Sequence, residues 1–546
     1  MTAPKTIQLD SRDNVLVALT DLAAGESVAS NRSSFAVISA IPAKQKLAMQ
    51  DFPVGAEIMM YGVIVGKARE PIPKGGLLTT SNVVHDSAGF RAKESNYAWT
   101  PPDVTRWKDR TFDGFYRQDG QVGTRNYWLV IPLVFCENRN VDALREAFEE
   151  ELGYGRPKQY RQQVRELLRE YRTAASGPQA TAQDAAQTTS RIFPNVDGIK
   201  FLVHQGGCGG TRDDSRALCG LLAGYIHHPN VAGATVLSLG CQNAQSTDLI
   251  DELKSRDTSL SKPVLIYDQQ KSGLESTMLS NAIRETFQGL VTANQNIRKP
   301  APLSKLTVGL KCGGSDGFSG ISANPSVGHV SDMLAALGGK SILSEFPELC
   351  GVEQSLINRC TDEQSADRFI YLMRSYQARA KAVNSGFEMN PSPGNIRDGL
   401  LTDAMKSAGA GRKGGTSPVN DVLDYPEYVR KQGLSLQCTP GNDVECVTAQ
   451  VGAGANVVLF TTGLGTPTGN PITPVIKLAT NTKLAQRMSD IIDLDTGPII
   501  DGQSTIESMA DSILERIVEV ASGSRHTMAE SLRQDDFIPW KRGVSL

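Results

Sequence analysis

The stretch FLVHQGGCGGTRDD, residues 201–214, largely decides how the chain around it folds. A short apolar run ends in His204, and Cys208 follows among four glycines before a polar segment that begins a helical pattern. Strand, glycine loop and helix in this order are typical of a parallel α/β sheet with right-handed crossovers. A cysteine flanked by glycines is poorly shielded by neighbouring side chains, which predicts that its sulfur is accessible to a ligand.

Three further apolar runs also end in cysteine, and each has the continuous pattern of a strand buried on both faces. They are NYWLVIPLVFC (126–136), GATVLSLGC (233–241) and KLTVGLKC (305–312). Ligands of open α/β sheets bind beyond the carboxyl ends of the strands, so the four cysteines are predicted to converge there as soft metal ligands. They are Cys136, Cys208, Cys241 and Cys312. The alternative is that each is a small core residue, the commonest role of a free cysteine.

The length and amino-acid composition are those of an ordinary globular protein of several domains. The chain has 546 residues, 40% of them hydrophobic and 21% charged, with a formal net charge of −3. This balance favours neither nucleic acid nor a membrane surface as a partner. Nine cysteines without paired spacing indicate free thiols or metal ligands and therefore predict a cytoplasmic protein.

The pattern along the chain predicts a small all-β domain followed by two α/β domains with mainly parallel sheets. Residues 1–86 contain short apolar runs separated by proline and glycine turns. Residues 87–110 are polar and aperiodic, as in a linker or a wrapping arm. Strand and helix patterns then alternate through 111–300 and again through 301–546.

Polar loops and side chains near the strand ends supply candidate binding groups. The segments 311–329 and 461–474 are rich in glycine and hydroxyls, so their N–H groups can hold a carboxylate or phosphate, although tight connectors look similar. Glu345 and Glu348 follow an apolar strand and can bind a hard cation or move a proton. His204 is a candidate base or metal ligand, with a structural strand-end role as the alternative.

Several long motifs, in order, carry a resemblance to a known family. They are FDGFYRQDGQVGTRNYW, LVHQGGCGG, LSLGCQNAQ, KCGGSDGFSGISANPSVG, SEFPE, NPSPGN and FTTGLGTPTGNPITPVIKLATNT. Together they resemble the altronate and galactarate dehydratases over nearly the whole chain, and residues 1–86 resemble that family's SAF-type β-clip domain. The resemblance implies a hydro-lyase that converts altronate to 2-keto-3-deoxygluconate by loss of the C2 proton and the C3 hydroxyl.

The resemblance also implies a cofactor and a set of site residues. Mononuclear Fe²⁺ is the preferred cofactor, with an iron–sulfur cluster as the alternative and Mn²⁺ as a substitute ion, and a homo-oligomer such as a dimer is expected. The implied metal ligands are the four cysteines above, and the implied catalytic residues are His204, Glu345 and Arg125. The implied substrate-binding residues are Gly313, Gly314, Ser315, Asp316, Asn324, Thr461, Thr462, Gly465, Thr466 and Lys477.

Two departures from the family pattern keep the substrate open. Thr79 and Ser81 stand where many altronate dehydratases have the histidines of a VHxHN pattern, with His85 as a nearby substitute, and Gln242 stands where glutamate is frequent. The alternatives are a lyase for galactarate, another aldonate or aldarate, or a sulfonated hydroxy acid. A catalytically inactive sugar-acid binding protein is the alternative from a different class.

Overall fold

A computed structural model describes residues 4–29, 34–155, 159–176 and 191–545. It confirms the predicted class, an all-β N-terminal domain followed by two α/β regions built on parallel sheets. Among these residues, no helix combines the length and apolarity needed to cross a membrane.

The N-terminal domain consists of short antiparallel strands in three small sheets. They are β1 (Thr6–Ile7), β2 (Val15–Ala18), β3 (Ser27–Ala29), β4 (Ser34–Ala36), β5 (Lys46–Ala48), β6 (Glu57–Met60), β7 (Val63–Ala68) and β8 (Val83–Val84). All four residues of β2 are buried because its two faces pack into two different apolar clusters. One of these clusters includes Phe318, Ile321 and Met405 from the C-terminal domain, so burial of apolar surface docks the two domains together.

Residues 87–110 wrap along the C-terminal domain. Tyr97 donates its hydroxyl to the carbonyl of Thr416 at 2.6 Å, and the Trp107 indole N–H donates to Asp511 at 2.8 Å. The polar segment therefore acts as an arm, one of its two predicted forms. It leads into β9 (Thr111–Tyr116) and β10 (Val122–Gly123), which form a small antiparallel sheet with β15 (Lys299–Pro302).

The second domain is a four-stranded parallel sheet in the order β12-β11-β13-β14. Its elements are β11 (Tyr127–Pro132), α1 (Asn138–Glu151), α2 (Gln159–Ser176), β12 (Gly198–Phe201), α3 (Arg212–His227), β13 (Val231–Ser238), α4 (Ser246–Arg256), β14 (Val264–Asp268), α5 (Gln269–Ser272) and α6 (Glu275–Ala293). In register, Val130 of β11 lies between Phe201 of β12 and Thr235 of β13. The loops that follow these three strands therefore leave the sheet at the same edge.

The C-terminal domain is a seven-stranded parallel sheet in the order β18-β19-β17-β16-β20-β21-β22. Its elements are β16 (Thr307–Cys312), α7 (Ala323–Ala336), β17 (Lys340–Leu343), α8 (Glu353–Arg359), α9 (Glu363–Ala382), α10 (Pro393–Arg397), α11 (Asp403–Gly411), β18 (Val419–Leu423), β19 (Gly433–Gln437), α12 (Asp443–Gly452), β20 (Val457–Thr462), β21 (Val475–Ala479), α13 (Thr482–Arg487), β22 (Leu494–Asp495), α14 (Ile506–Ala521) and α15 (Met528–Ser531). The chain leaves β16 toward β17 on one side and returns later to β20 on the other. This change of direction creates a crevice beyond Cys312, where ligands bind in open α/β sheets.

The two α/β domains share one apolar core, in which α3 and α12 pack against each other. A Cβ on Gly224 of α3 would lie 2.1 Å from the carbonyl oxygen of Gly452 in α12, so only glycine permits this approach. After α15 the tail returns over the second domain, where the ring of Phe537 packs edge-on against Tyr225 with centroids 5.0 Å apart. The tail thus adds a further contact between the two domains.

We predict that Lys44→Met destabilises the protein by about 3 kcal/mol, the usual loss when one partner of a buried ion pair is removed. Lys44 bridges the N-terminal domain to Asp316 at 3.0 Å and to Asp398 at 2.7 Å, and the side chain of Asp316 is fully buried. Urea unfolding of both proteins measures the change. Lys67→Met is the control because its partner, Asp86, is partly exposed, and an equal effect of the two substitutions would contradict the prediction.

Candidate functional site

A buried acidic cluster lies in the crevice beyond β16. Cys312 ends that strand, and Glu345 and Glu348 lie in the turn that follows β17. Glu345 adopts a left-handed backbone with φ of 67°, a conformation that costs a non-glycine residue about 1–2 kcal/mol. Its N–H donates to the hydroxyl of Thr439 at 2.9 Å, which helps to hold this strained position. Strain of this kind is concentrated at functional sites.

The side chains of the cluster are close enough to act together. The sulfur of Cys312 lies 3.8 Å from Oε2 of Glu345 and 3.4 Å from Oε2 of Glu348. One ligand atom from each residue lies within 4.8 Å of the other two. In number and kind, these donors fit a divalent cation.

Lysine side chains already neutralise Glu345. Lys311 forms ion pairs with Glu345 and, at 2.9 Å, with Asp443. The ammonium of Lys413 lies 2.9 Å from Glu345 and 2.7 Å from the sulfur of Cys312. Burial opposes the charge of both lysines, but the neighbouring anionic groups outweigh it and raise their pKa values.

A third buried lysine neutralises Glu348. Lys406 lies 2.9 Å from Oε1 of Glu348 and donates to the amide oxygen of Asn390 at 2.6 Å. Burial alone would raise the pKa of Glu348, but Lys406, Lys311 and Lys413 outweigh it and lower the pKa. Glu348 is therefore ionised at neutral pH.

The whole cluster is balanced in charge as long as Cys312 keeps its proton. Three ammonium groups then face three carboxylates, those of Glu345, Glu348 and Asp443. Burial, followed by the charge of Glu345, raises the pKa of Cys312 to about 12, so the neutral thiol is the form expected at physiological pH. A cation bound here would lie close to the Lys413 ammonium, so the charge of the cluster disfavours the metal that its donor atoms could hold.

The cluster borders a cavity of about 580 Å³. Its polar lining residues are Cys312, Ser315, Glu348, Tyr376, Ser385, Asn390, Ser392, Asn395, Lys406, Asn442 and Asp443. Gly313 and Gly314, two residues of the predicted substrate-binding set, also line it, whereas Glu345 is not among the lining residues. Amides, hydroxyls and paired charges around one space suit a small anion that carries several hydroxyl groups.

Other predicted substrate residues have structural partners instead. Asp316 is buried with Lys44, and the hydroxyl of Thr461 donates to the amide oxygen of Asn324 at 2.6 Å in the interior. The Thr462 hydroxyl accepts hydrogen bonds from the N–H groups of Gly465 and Thr466, which fixes their loop. None of these residues is among those that line the cavity.

Lys477 and Arg125 lie in the interior. Lys477 donates to the amide oxygen of Gln534 at 2.5 Å, and burial lowers its pKa to about 8. Arg125 precedes β11, at the sheet edge opposite the cysteine loops, and pairs through two nitrogens with Glu530 at 2.6 and 3.0 Å. Both cations are buried with protein partners, an arrangement that does not favour the catalytic role predicted for Arg125 or the substrate-binding role predicted for Lys477.

His204 has no free ring nitrogen. Nε2 lies 2.7 Å from the carbonyl oxygen of Pro132, and Nδ1 accepts the N–H of Gly206 at 3.1 Å. Burial lowers the pKa of His204 to about 4, so the ring is neutral and Nε2 donates. The predicted role as base or ligand is corrected to one of holding the glycine loop in place.

The structure divides the four strand-end cysteines between two sheets. Cys136, Cys208 and Cys241 follow adjacent strands of the second domain and are exposed, whereas Cys312 is buried at the edge of the C-terminal sheet. The prediction of one four-cysteine site is therefore corrected to a three-cysteine edge and a separate thiol. An apolar run ending in cysteine does not reveal which sheet the strand joins.

The altered segment of the N-terminal domain lies outside the cavity lining. Thr79 and Ser81 hydrogen-bond to each other through their hydroxyls at 2.7 Å. His85, the predicted substitute, is half-buried with Nδ1 3.4 Å from the N–H of Ala404, and burial lowers its pKa.

Sequence reasoning did not find several residues of the cluster, namely Lys311, Asn390, Lys406, Lys413 and Asp443. Lys311 precedes Cys312 directly, but nothing in the neighbouring sequence indicates its partners. Asn390 begins the quoted motif NPSPGN, but nothing in the motif assigns it to this cluster, and Lys406, Lys413 and Asp443 lie far along the chain without distinctive spacing. Only the fold brings them to the end of β16.

The fold and the cavity together are those of an α/β enzyme. A polar cavity with buried charges lies at the edge of a parallel sheet, and a small β domain is docked on the same C-terminal domain. Family models match in the same order: the altronate/galactarate dehydratase SAF domain at 4–86, the D-galactarate dehydratase/altronate hydrolase second domain at 114–294, and the D-galactarate/altronate dehydratase C-terminal domain at 303–545. The chain belongs to the altronate/galactarate dehydratase family, which confirms the resemblance.

Individual relatives are similar over almost their whole length. The altronate dehydratase of Escherichia coli (strain K12) is 32% identical over 99% of both chains. The altronate dehydratase of Bacillus subtilis (strain 168) is 32% identical over 95% of both. The galactarate dehydratase (L-threo-forming) of E. coli is also 32% identical, over 96% of this chain and 94% of its own.

We predict that iodoacetamide at neutral pH modifies Cys136, Cys208 and Cys241 in the folded metal-free protein and leaves Cys312 unmodified. The first three are exposed, whereas Cys312 is buried and protonated. Peptide mass spectrometry before and after unfolding in denaturant measures the labelling. Modification of Cys312 as fast as Cys208 in the folded protein would contradict the prediction.

Proposed function

We propose that this protein is a sugar-acid dehydratase that removes water from altronate to give 2-keto-3-deoxygluconate. The observation that carries the proposal is the cavity in which Glu348, Lys406 and Cys312 face amide and hydroxyl groups. Full-length similarity to two altronate dehydratases supports the choice of substrate. The cytoplasmic location that the cysteines predict is part of the same proposal.

Lys406 is the group that binds the substrate carboxylate. Its ammonium lines the cavity and is held between Glu348 and Asn390, so it is oriented before the substrate arrives. The amides of Asn390, Asn395 and Asn442 can exchange hydrogen bonds with the sugar hydroxyls. Their two-sided donor and acceptor chemistry matches a hydroxyl group, which both donates and accepts.

Glu348 is the base in this proposal. Glu348 lines the cavity, and its ionised carboxylate, whose Oε2 accepts a hydrogen bond from Cys312, takes the proton from C2 of the substrate. Negative charge then develops on the substrate carboxylate, where the ammonium group of Lys406 stabilises it. The proton on Glu348 passes to the C3 hydroxyl, which leaves as water, and the enol product becomes the keto acid.

The iron that the family resemblance implies is not assigned to this cluster. Cys312, Glu345 and Glu348 offer suitable atoms, but the three lysines already neutralise the carboxylates. The steps above therefore use only groups of this chain. Fe²⁺ or Mn²⁺, when bound to a dehydratase, supplies a Lewis acid for the developing enolate charge.

Galactarate is the second candidate substrate, because the galactarate dehydratase of E. coli is equally identical to this chain. A panel of altronate, galactarate and related acids, assayed for keto-acid product in iron-replete reducing buffer, separates the two. Altronate is expected to give the highest kcat/KM. Absence of turnover with every acid would instead favour the binding-protein alternative.

We predict that Glu348→Gln lowers kcat by about 100- to 10,000-fold, the usual contribution of a general base, with a much smaller change in KM. Glu353→Gln is the matched control: Glu353 is also buried and lies in the next helix, but it does not line the cavity. Steady-state kinetics with altronate measures both variants. Equal kcat values for Glu348→Gln and the control would refute the assignment of the base.

Lys406→Met is expected to raise KM and also to lower kcat, since the lysine both binds the substrate carboxylate and stabilises the enolate. The same kinetic assay tests this expectation. An unchanged KM would place carboxylate binding elsewhere.

A further inference from the structure

Helix α2 of the second domain presents an apolar stripe that the described part of the chain leaves uncovered. Every side chain described along this helix, from Tyr160 to Tyr171, is exposed. No residue of α2 belongs to an apolar cluster of the described chain. An isolated helix of this length is only marginally stable in water, because most helices in proteins are stabilised by packing of an apolar face. The stripe therefore lacks the contact that such a helix normally makes.

Five large apolar side chains form the stripe, and each is exposed, from 46% for Leu168 to 73% for Tyr171. The intervals from Tyr160 through Val164 and Leu167 to Tyr171 are four, three and four residues. This spacing repeats every seven residues, which is the period of a coiled-coil seam. Leu168 lies next to the seam and widens it. The pattern indicates that the partner of α2 is another helix.

The segments that flank α2 in the sequence do not supply the missing apolar face. Residues 156–158 are Arg-Pro-Lys. Residues 177–190 read GPQATAQDAAQTTS and contain no leucine, isoleucine, valine, methionine or aromatic residue. The free energy gained by covering the stripe is proportional to the apolar area removed from water, and these segments offer little such area. The composition therefore favours a partner from another molecule.

The charges beside the stripe indicate what that molecule is. Successive residues of an α-helix are about 100° apart. This rotation places Arg161 and Arg165 along one side of the stripe and Glu166 and Glu170 along the other. A helix that lies on an anionic membrane has lysine and arginine across its polar face, which the acidic side of α2 does not match. One basic side and one acidic side instead suit a second copy of the same helix.

The two sides match when two copies of α2 lie parallel, about a twofold axis that runs along them. This arrangement turns the basic side of each helix toward the acidic side of the other at both borders of the stripe. An antiparallel pair would bring sides of like charge together. The charge pattern therefore favours a parallel pair, and the apolar seam supplies most of its stability.

The apolar area is large enough for an interface between two copies. The five exposed side chains of two stripes together approach about 1,200 Å², the lower end of the area that stable protein interfaces bury. Exposure on all faces of α2 leaves room for a second helix beside it. An interface at this lower end is expected to dissociate on dilution.

We propose that α2 is the dimerisation element of this protein, through which two copies of the chain associate as a parallel, in-register pair of helices. Residues at equivalent positions of the two copies meet in the seam, as an isologous interface requires, namely Tyr160, Val164, Leu167 and Tyr171. The family resemblance implies a homo-oligomer but assigns no surface to it. The stripe on α2 is that surface.

Sedimentation velocity of the full chain measures the association. We expect a concentration-dependent equilibrium between a monomer of 58.8 kDa and a dimer of twice that mass. Leu167→Glu is expected to raise the dimer Kd by about 100-fold, because two carboxylates would meet in the seam. Gln162→Glu is the matched control, since it adds the same charge on the opposite face of the helix, and it should dimerise like the wild type.

Two outcomes would overturn the proposal: a wild-type protein that stays monomeric at high micromolar concentration, and a Leu167→Glu variant that dimerises as tightly as the control. Leu167 is exposed in the single chain, so its substitution leaves the folded monomer intact, and urea unfolding checks this point. Vesicles of phosphatidylserine and phosphatidylcholine test the membrane alternative. Binding to them by a protein that remains monomeric would also overturn the proposal.

Cross-linking determines the orientation of the two helices. Positions 160 and 171 lie at opposite ends of the stripe, about 16 Å apart along the helix axis. A short bismaleimide is expected to link Tyr160→Cys to itself between two copies, and likewise Tyr171→Cys. Peptide mass spectrometry separates these links from reaction at the exposed Cys136, Cys208 and Cys241. Links that form only when the two variants are mixed would show an antiparallel pair and overturn the proposal.

Activity separates this proposal from the proposed dehydration. No residue of α2 lines the cavity beside Cys312, so Leu167→Glu is expected to keep the kcat of the wild type with altronate. A protein that dimerises through α2 but turns over no sugar acid would support the dimerisation element and refute the proposed function. A protein that dehydrates altronate but never dimerises would do the reverse.

Discussion

The packing of the C-terminal domain around the end of β16 depends on a balance between buried positive and negative charges. Burying an ammonium or a carboxylate alone costs several kcal/mol, so each of the three lysines must find an anion, and each does. This requirement ties together elements that are distant in sequence: the strand end, the turn after β17, helix α11 and the start of α12. The cavity has its shape because these elements must meet there.

The apolar core that the two α/β domains share fixes the second domain against the C-terminal domain. Helices α3 and α12 approach so closely that a Cβ on Gly224 would clash with the carbonyl oxygen of Gly452, and residues of both helices belong to the shared core. Each parallel sheet presents its own carboxyl edge, one with three exposed cysteines and the other with a buried thiol among paired charges. The fold thus provides two chemically different sites from one repeated strand–loop–helix unit.

Sequence patterns predicted the fold better than the site, and the reason is physical. Apolar runs, glycine loops and helix patterns are local, and they identified the β domain, both parallel sheets and the loops with the cysteines. Cys312 was grouped with the other three because equivalent strand ends look alike, whichever sheet they join. His204 and Arg125 have suitable side chains, but their partners, a backbone carbonyl and Glu530, depend on tertiary packing. Lys406 and Lys413 acquire their roles only from neighbours far along the chain.

The C-terminal tail links the two sites through one aromatic side chain. Trp540 lines a cavity at the cysteine edge, and its ring lies 5.4 Å from that of Tyr376, which lines the cavity beside Glu348. The two rings are in contact, so each cavity has a wall residue that touches a wall residue of the other. A displacement of the last residues that moves Trp540 would therefore also disturb the wall that Tyr376 contributes to the second cavity.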